Sequence, residues 1–463
     1  MYVSLRNAGP DSPTPAASPA SAAGVVTTSA DPTTDSRTAR AGRRVPGVVL
    51  ALGLTSLFTD ISSEAVTAVL PLYLTAVLGL GPAAYGFVDG IYQGAASLVR
   101  VLGGWWSDRS GRPKLVAFLG YGISAVSRVL LLPVTGVAAL TGVVAMDRLG
   151  KGLRTGPRDA MIAGASTPER LGRNFGVHRA LDTAGAVAGP LLAFGVLAAV
   201  PAGIAGYRAV FVLSIAAAVA GLAVLLIAVP NRTRGRAEAD VVRDVETASG
   251  VAPGTSTETG TVPERWRWRH LADRRLRSLL LAAALLGLLT VGDGFLYLVL
   301  ADAGGIGLTY FPLLMVGTNA AYFALAVPVG RLADRVGRAR VLIGGHVVLV
   351  VAYVVAATTG AHIAGVVAVL LLLGCFYAAT DGVVSALASQ ASPAAGRATG
   401  IASVQTAVGL SRFASSVCFG ILWQLTSRSV ALLAVGLALA LAIPVAARLL
   451  AGTRRPTPQD AAS

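Results

Sequence analysis

This 463-residue sequence has little charge, little cysteine and almost no lysine, and each shortage excludes something. Only 13% of its residues are charged against 54% hydrophobic, about half the charged fraction of a soluble domain. The two cysteines, Cys375 and Cys418, both fall inside apolar segments, which leaves no disulfide framework or cysteine metal cluster to build. Lysine occurs only at Lys114 and Lys151, so the net charge of +15 is carried almost wholly by arginine. No Gly-x4-Gly-Lys-Ser/Thr loop occurs, which excludes an ATP-driven pump made of this chain alone. No constellation of soluble-enzyme residues emerges, and no cofactor or metal is expected.

What the chain does have is long apolar runs, giving a mean hydropathy of +0.69. Runs of about 20 residues can each cross the hydrocarbon core as a helix. The expected spans are 45–78, 82–107, 114–134, 137–163, 175–200 and 207–230, then 276–301, 309–332, 341–359, 362–389, 399–424 and 430–449. The sequence therefore predicts an all-α integral membrane protein of twelve transmembrane helices in two six-helix bundles, residues 45–230 and 276–450. Residues 1–44 are rich in Pro, Ser, Thr and Ala and lack the apolar core of a secretory signal, and they read as a disordered cytoplasmic tail. Residues 231–275 read as a cytoplasmic linker and 451–463 as a cytoplasmic tail. The linker ends in Arg265-Trp-Arg-Trp-Arg-His270. Beside a membrane, such alternation reads as an interfacial anchor on anionic headgroups rather than a nucleic-acid stack.

With the N-terminus inside, the loops sort by charge. Arg40, Arg43, Arg44, Arg170, Arg173, Arg397, Arg454 and Arg455 fall inside with the linker arginines, and Arg208 and Arg428 fall outside. This is the positive-inside distribution. It accounts for the basic balance without nucleic acid, and it predicts a multi-pass protein of the plasma membrane with both termini cytoplasmic.

One charged phrase occurs twice, about half the chain apart: Gly104-Trp-Trp-Ser-Asp108-Arg109-Ser-Gly111-Arg112-Pro-Lys114 and Gly330-Arg-Leu-Ala-Asp334-Arg335-Val-Gly337-Arg338-Ala-Arg340. Each copy lies between two apolar spans, as expected of a transporter built from two related halves. Gly-x-x-x-Asp-Arg-x-Gly-Arg at these positions resembles the loop signature of the major facilitator superfamily, and the resemblance covers about 45–450. It implies two six-helix bundles that rock around a central site, with the loops as cytoplasmic latches. It places Asp108 and Asp334 at helix-capping positions, where a carboxylate meets the positive end of a helix dipole, with Arg109, Arg112, Arg335 and Arg338 as basic partners. The glycines permit a tight turn.

Two further signatures point to the drug:proton antiporter (efflux) members. Arg148-Leu-Gly-Lys151-Gly152 resembles the family's Arg-x-x-Gln-Gly motif, whose arginine is associated with proton coupling; Lys151 stands where glutamine is expected. Gly176, Gly185, Gly189 and Pro190 match the antiporter spacing Gly-x8-Gly-x3-Gly-Pro, although Ala193 and Phe194 replace its terminal glycine pair. Small residues and a proline suit a closely packed hinge.

Charge inside a span costs about 2.5–3.5 kcal/mol per residue on insertion scales, so such residues face a partner or a cavity. The fourth span carries Asp147, Arg148, Lys151, Arg154, Arg158 and Asp159. Exposing its four deepest charges to lipid would cost on the order of 10 kcal/mol. Asp147, Lys151, Arg154 and Arg158 share one helical face, which must look inward. Asp60 and Glu64 lie one turn apart in the first span, Asp89 and Arg100 in the second, Arg128 in the third, and His178, Arg179 and Asp182 in the fifth. The second half offers Asp293, Asp381 and Arg412, with Asp293 read as the repeat partner of Asp60.

The coupling and substrate site is therefore expected among Asp60, Glu64, Asp89, Asp147, Arg148, Lys151, Arg154, Asp182, Asp293 and Arg412. Asp60, Glu64 and Asp147 are the expected proton carriers and Arg148 and Lys151 their modulators, because desolvation favours a protonated carboxyl and a nearby cation opposes it. Arg128, Arg158, Arg179 and Asp182 read equally well as static ion pairs, and His178 as a surface or pairing histidine. The carboxy-terminal bundle is expected to supply mostly apolar wall. The leading function is proton-coupled export of a small organic molecule by a monomer in contact with membrane lipids. The alternatives are an uptake symporter or facilitator for a small metabolite, including an anion, and a sensor or scaffold, which would not need two latch loops.

Overall fold

The computed structural model describes residues 45–451 except 135, 168–169, 201–202, 232–272, 305, 360–361 and 393–396; the side chains of Leu98, Val101, Asp108, Arg397 and Ala398 also lie outside the described set. The expected tails, the linker and its Trp–Arg anchor fall outside these residues. Among the described residues the chain is helical. The first half holds α1 (Gly47–Leu72, continued by a π turn at Tyr73–Val77), α2 (Pro82–Ser110), α3 (Pro113–Leu130), α4 (Val137–Gly164), α5 (Leu171–Ala199) and α6 (Ile204–Ala228). The second holds α7 (Arg274–Leu288), α8 (Asp293–Gly304), α9 (Pro312–Val336), α10 (Arg338–Thr358), α11 (Ile363–Ala391), α12 (Arg397–Leu425) and α13 (Arg428–Ala451).

Each expected span coincides with a helix to within about one turn, with one difference. The seventh is broken into α7 and α8. Its freed backbone groups are not left bare: the Tyr353 hydroxyl on α10 accepts from Val291 N–H at 2.7 Å and donates to the Leu289 carbonyl at 3.2 Å, while Ser415 donates to the Thr290 carbonyl at 3.0 Å. Interrupted helices are tolerated at membrane depth only with such repair. The break sets Asp293 in the first turn of α8, where the helix dipole favours a carboxylate.

Of the twelve expected spans, nine meet a criterion of length and apolar composition. Among the described residues these nine helical stretches are long and apolar enough to cross a membrane, with α7 and α8 counted as one stretch. The three long helices outside that set are α2, α3 and α4. They carry many of the charged residues within the expected spans, among them Asp89, Arg100, Arg128 and the six of α4, and charge lowers the hydropathy that such a criterion reads.

Within the first half, α1 packs on α5 and α6, and α4 on α2 and α3. Within the second, α11 packs on α9 and α10, and α7 on α12 and α13. The halves meet along α2 with α12 and along α5 with α9. Glycine makes the first seam possible. A Cβ at Gly90 would lie 2.9 Å from the Phe413 carbonyl oxygen, and one at Gly94 3.1 Å from the Phe413 Cβ. At one end of this seam Tyr85 of α2 meets Phe295 of α8 edge-on at 4.7 Å, and Phe295 meets Phe419 of α12 at 4.8 Å.

Candidate functional site

A cavity of about 470 Å³ lies between the halves. From the first half α1 contributes Glu64 and Thr67, α2 contributes Asp89, Tyr92 and Gln93, and α4 contributes Lys151. The second half contributes Asp293, Asn319, Tyr322, Tyr377, Asp381 and Arg412. That polar set corrects the expectation of a mostly apolar carboxy-terminal wall. The helix break explains part of it, because it brings Asp293 to the cavity at the start of α8.

Five of the ten expected site residues line this cavity: Glu64, Asp89, Lys151, Asp293 and Arg412. Lys151 Nζ lies 3.9 Å from Glu64, joining α4 to α1. Asp89 accepts a hydrogen bond from Ser416 at 2.6 Å across the α2–α12 seam. Asp293 accepts one from the Tyr377 hydroxyl at 2.5 Å. The buried Arg412 Nε has no hydrogen-bond partner among the described residues, and the guanidinium sits 6.0 Å from the Tyr377 ring centroid.

The other five, Asp60, Asp147, Arg148, Arg154 and Asp182, are not on the cavity wall. Asp147 is held between two guanidiniums, with Arg128 at 2.8 Å and Arg148 Nε at 3.0 Å. All three side chains are 5–6% exposed. This geometry suits a fixed ion triad, in which each charge is compensated by its neighbours. It departs from the expectation of Asp147 as a cavity proton carrier. Arg148 also stacks 3.9 Å from the ring centroid of Tyr92, so the triad backs a cavity residue without entering the cavity. Arg154 packs 4.5 Å over Tyr121. The shared face of α4 is thus turned inward, but its neighbours occupy most of it and only Lys151 reaches the cavity.

A second polar group gathers where α1, α4 and α5 meet. Asp60 of α1 and Asp182 of α5 are close neighbours there, so that two carboxyls face each other where these helices pack. Arg158 reaches Asp182 at 3.7 Å, Asp159 at 3.0 Å and Ser56 at 3.3 Å. His178 is buried and bonds Ser56 at 3.0 Å, so it is a pairing histidine and not a surface one. Asp60 and Asp293 therefore occupy unlike places, one in this cluster and one on the cavity wall. Asp60 also meets one of the expected hinge positions. A Cβ at Gly185 would lie 3.1 Å from the Asp60 Cβ, and one at Gly189 would lie 2.8 Å from Ala65 N. These two glycines bring α5 against α1, whereas a Cβ at Gly176 would meet nothing within 4 Å. Pro190 lies within α5, which continues through it.

The two loop phrases are built alike and bonded differently. Gly111 (φ +61°) and Gly337 (φ +101°) end α2 and α9 with backbone bonds of 3.1 Å to Ser107 and Ala333, geometry that favours glycine. In the first copy Lys114 bonds the carbonyls of Leu226 at 3.0 Å and Val229 at 2.5 Å, tying the loop to the C-terminal end of α6, and Arg109 lies 5.7 Å over Trp105. Arg112 is exposed, and the Asp108 side chain lies outside the described set. In the second copy Asp334 pairs with Arg338 at 3.3 Å and Arg335 is exposed. The N-caps of α3 and α10, Arg112 and Gly337, have no side-chain capping bond. Neither Gly104 nor Gly330 would meet another atom within 4 Å on gaining a Cβ.

Sequence reasoning left two features out of the site. Asp381 is exposed on the cavity wall although it lies within a long apolar helix; its charge in that setting was the available signal. The α2 seam was also legible, as Gly86, Gly90 and Gly94 repeat at the four-residue spacing that lets helices approach closely.

The profile of the Major Facilitator Superfamily matches residues 52–318 and 293–463. An uncharacterized MFS-type transporter of Methanocaldococcus jannaschii is 28% identical over 388 residues, covering 82% of this chain and 89% of the relative. An uncharacterized protein of Mycobacterium tuberculosis is 32% identical over 154 residues, 32% of this chain and 36% of its own. Among solved structures, a mutant of the nucleoside transporter NupG superposes with a TM-score of 0.70 at 14% identity, covering 87% of this chain and 99% of that one. A POT family transporter in complex with 5-aminolevulinic acid gives 0.70 at 12% identity, covering 89% and 97%. At these identities the likeness is one of fold.

Proposed function

The chain belongs to the Major Facilitator Superfamily, which makes it a multi-pass membrane transporter and not an enzyme, and from that premise we propose that it exports a small organic molecule by proton antiport. The cavity between the halves is the substrate site in this reading, and the two bundles rock to open it to alternate sides. The observation that carries the proposal is the pairing of this cavity with a separate carboxyl pair, Asp60 and Asp182, one helix packing away. In this reading one of the two neighbouring carboxyls carries the transported proton and gives it up when Arg158, now 3.7 Å from Asp182, draws closer. Glu64 and Lys151 connect that region to the cavity. The direction rests on the glycines of α5, whose spacing is that of the antiporter motif and two of which seat α5 on α1.

The remaining parts of the proposal follow from this one. Helices α2, α3 and α4 cross the membrane together with the nine apolar stretches, their charges turned toward one another and the cavity. That gives twelve crossings in the plasma membrane, with both termini cytoplasmic and the two loop phrases acting as latches on that face. The transporter works as a monomer, with protons and lipid as its other partners. Uptake by proton symport is the second reading, favoured by Lys151 and Arg412 on the cavity wall, which could hold an anionic metabolite.

Inverted vesicles with an imposed pH gradient test both readings. Export by antiport predicts that substrate accumulates in the vesicles and dissipates the gradient. Asp60→Asn and Glu64→Gln should each abolish the gradient-driven component while exchange persists. Accumulation that survives an uncoupler, or wild-type coupling in both variants, refutes the proton mechanism. Accumulation only with the gradient reversed favours the symporter.

A further inference from the structure

The charges on the cavity wall do not balance. Glu64 has Lys151 beside it, whereas Asp89, Asp293 and Asp381 have no ion pair among the described residues. Their partners, where the structure gives one, are hydroxyls: Ser416 on Asp89 and Tyr377 on Asp293. Against these three carboxyls stand two cations, Arg412 on the wall and Arg179 of α5, which approaches Asp381 and Tyr322. A carboxylate in a desolvated site is costly unless a positive charge approaches it, and this wall has more sites for positive charge than side chains to fill them. Its aromatic residues are all tyrosines, whose ring faces attract a cation and whose hydroxyls stay polar. The three carboxyls also come from three helices, α2, α8 and α11, in both halves, so one ligand that satisfies them bridges the bundles.

We propose that the substrate is an organic cation, such as a protonated or quaternary amine on an aromatic or apolar body, and that Asp89, Asp293 and Asp381 form the pole that binds its charge. This rests on the reading of the cavity as the substrate site. Asp381, exposed on the wall, is the specificity-determining residue that the loop and helix motifs do not indicate.

The test is binding to the purified full-length protein, read as a rise in melting temperature with benzyltrimethylammonium, benzoate or benzyl alcohol at matched concentrations. A ligand that binds only the folded state raises that temperature in proportion to its affinity. Benzyltrimethylammonium should stabilise the protein and the other two should not. Asp293→Asn and Asp381→Asn should weaken the cation by about tenfold or more, which corresponds to about 1.4 kcal/mol. Asp381→Glu, which keeps the charge, should restore most of that loss, and Asp334→Asn in the exposed loop should change nothing. Equal or better stabilisation by benzoate overturns the proposal. So does an undiminished cation effect in both Asn variants, or no effect of the cation over its soluble range. The assay has no direction and needs no pH gradient, so the cation pole can stand if export by antiport fails, and antiport can stand with a substrate of another charge.

Discussion

In the amino-terminal half, α4 alone carries six charges, and most of them are neutralised within the half: Asp147 by Arg128 and Arg148, Asp159 and Asp182 by Arg158. The carboxy-terminal half has few intramembrane charges, yet Asp293, Asp381 and Arg412 all stand on the cavity wall without an ion pair among the described residues. What distinguishes the halves is therefore pairing more than amount. A compensated charge is structural, because displacing it strands its partner in a low-dielectric interior. An uncompensated charge at a cavity is available to a ligand. Counting charges along the chain points mostly to the first half; pairing them in space leaves unpaired charge on both sides of the cavity.

The largest effect that would sharpen this contrast is expected at Asp147. Asp147→Asn leaves Arg128 and Arg148 buried against each other, and should cost about 3–5 kcal/mol, seen as a large fall in melting temperature and in the yield of folded protein. Asp293→Asn, which strands no arginine in an ion pair, should leave the melting temperature near wild type. Equal stability of the two variants would break the distinction between structural and available charge.

A smaller effect separates the packing inside a half from the packing between halves. A Cβ at Gly189 would lie 2.8–2.9 Å from atoms of α1, and one at Gly90 2.9 Å from the Phe413 carbonyl across the seam. Gly189→Val should destabilise by about 1–3 kcal/mol, the usual cost of overpacking. Gly90→Val should slow transport more than it lowers stability if the proposed rocking of the halves opens that seam. Transport rates in vesicles and thermal unfolding of the same two variants decide it; matching profiles would show that the seam is as fixed as the bundle interior.

The smallest effect is expected at the second loop phrase. The Asp334 side chain is 69% exposed beside Arg338, and an exposed pair of this kind contributes about 0–1 kcal/mol. Asp334→Asn should thus leave melting within that range, and any loss of transport it produces would be an effect on cycling rather than on folding. A fall in stability comparable with that of Asp147→Asn would contradict the exposed, local pairing.

Much of this was legible along the chain. Apolar runs marked every helix to within about a turn, because a hydrocarbon solvent sets both the composition and the length of what crosses it. The duplicated phrase was informative for a local reason: Gly111 and Gly337 take positive φ, which a side chain resists, so the pattern is carried by adjacent residues. Even the inward face of α4 could be derived from spacing alone. The break at Leu289–Gly292 could not, since its cost is met by Tyr353 and Ser415, far away in sequence.

The sequence by itself determined a helical membrane chain in two related halves, with arginine-rich loops and ionisable residues held within its spans. It did so because those properties depend on transfer of each segment between water and lipid, one segment at a time. Only the tertiary structure decided which of those charges are sealed and which are exposed to a ligand. Asp147 and Asp293 are both aspartates within expected spans. What separates them is that two guanidiniums from α3 and α4 converge on one, and a tyrosine hydroxyl and an open cavity meet the other. Electrostatic pairing depends on distances between helices, and those are set only when the bundle closes.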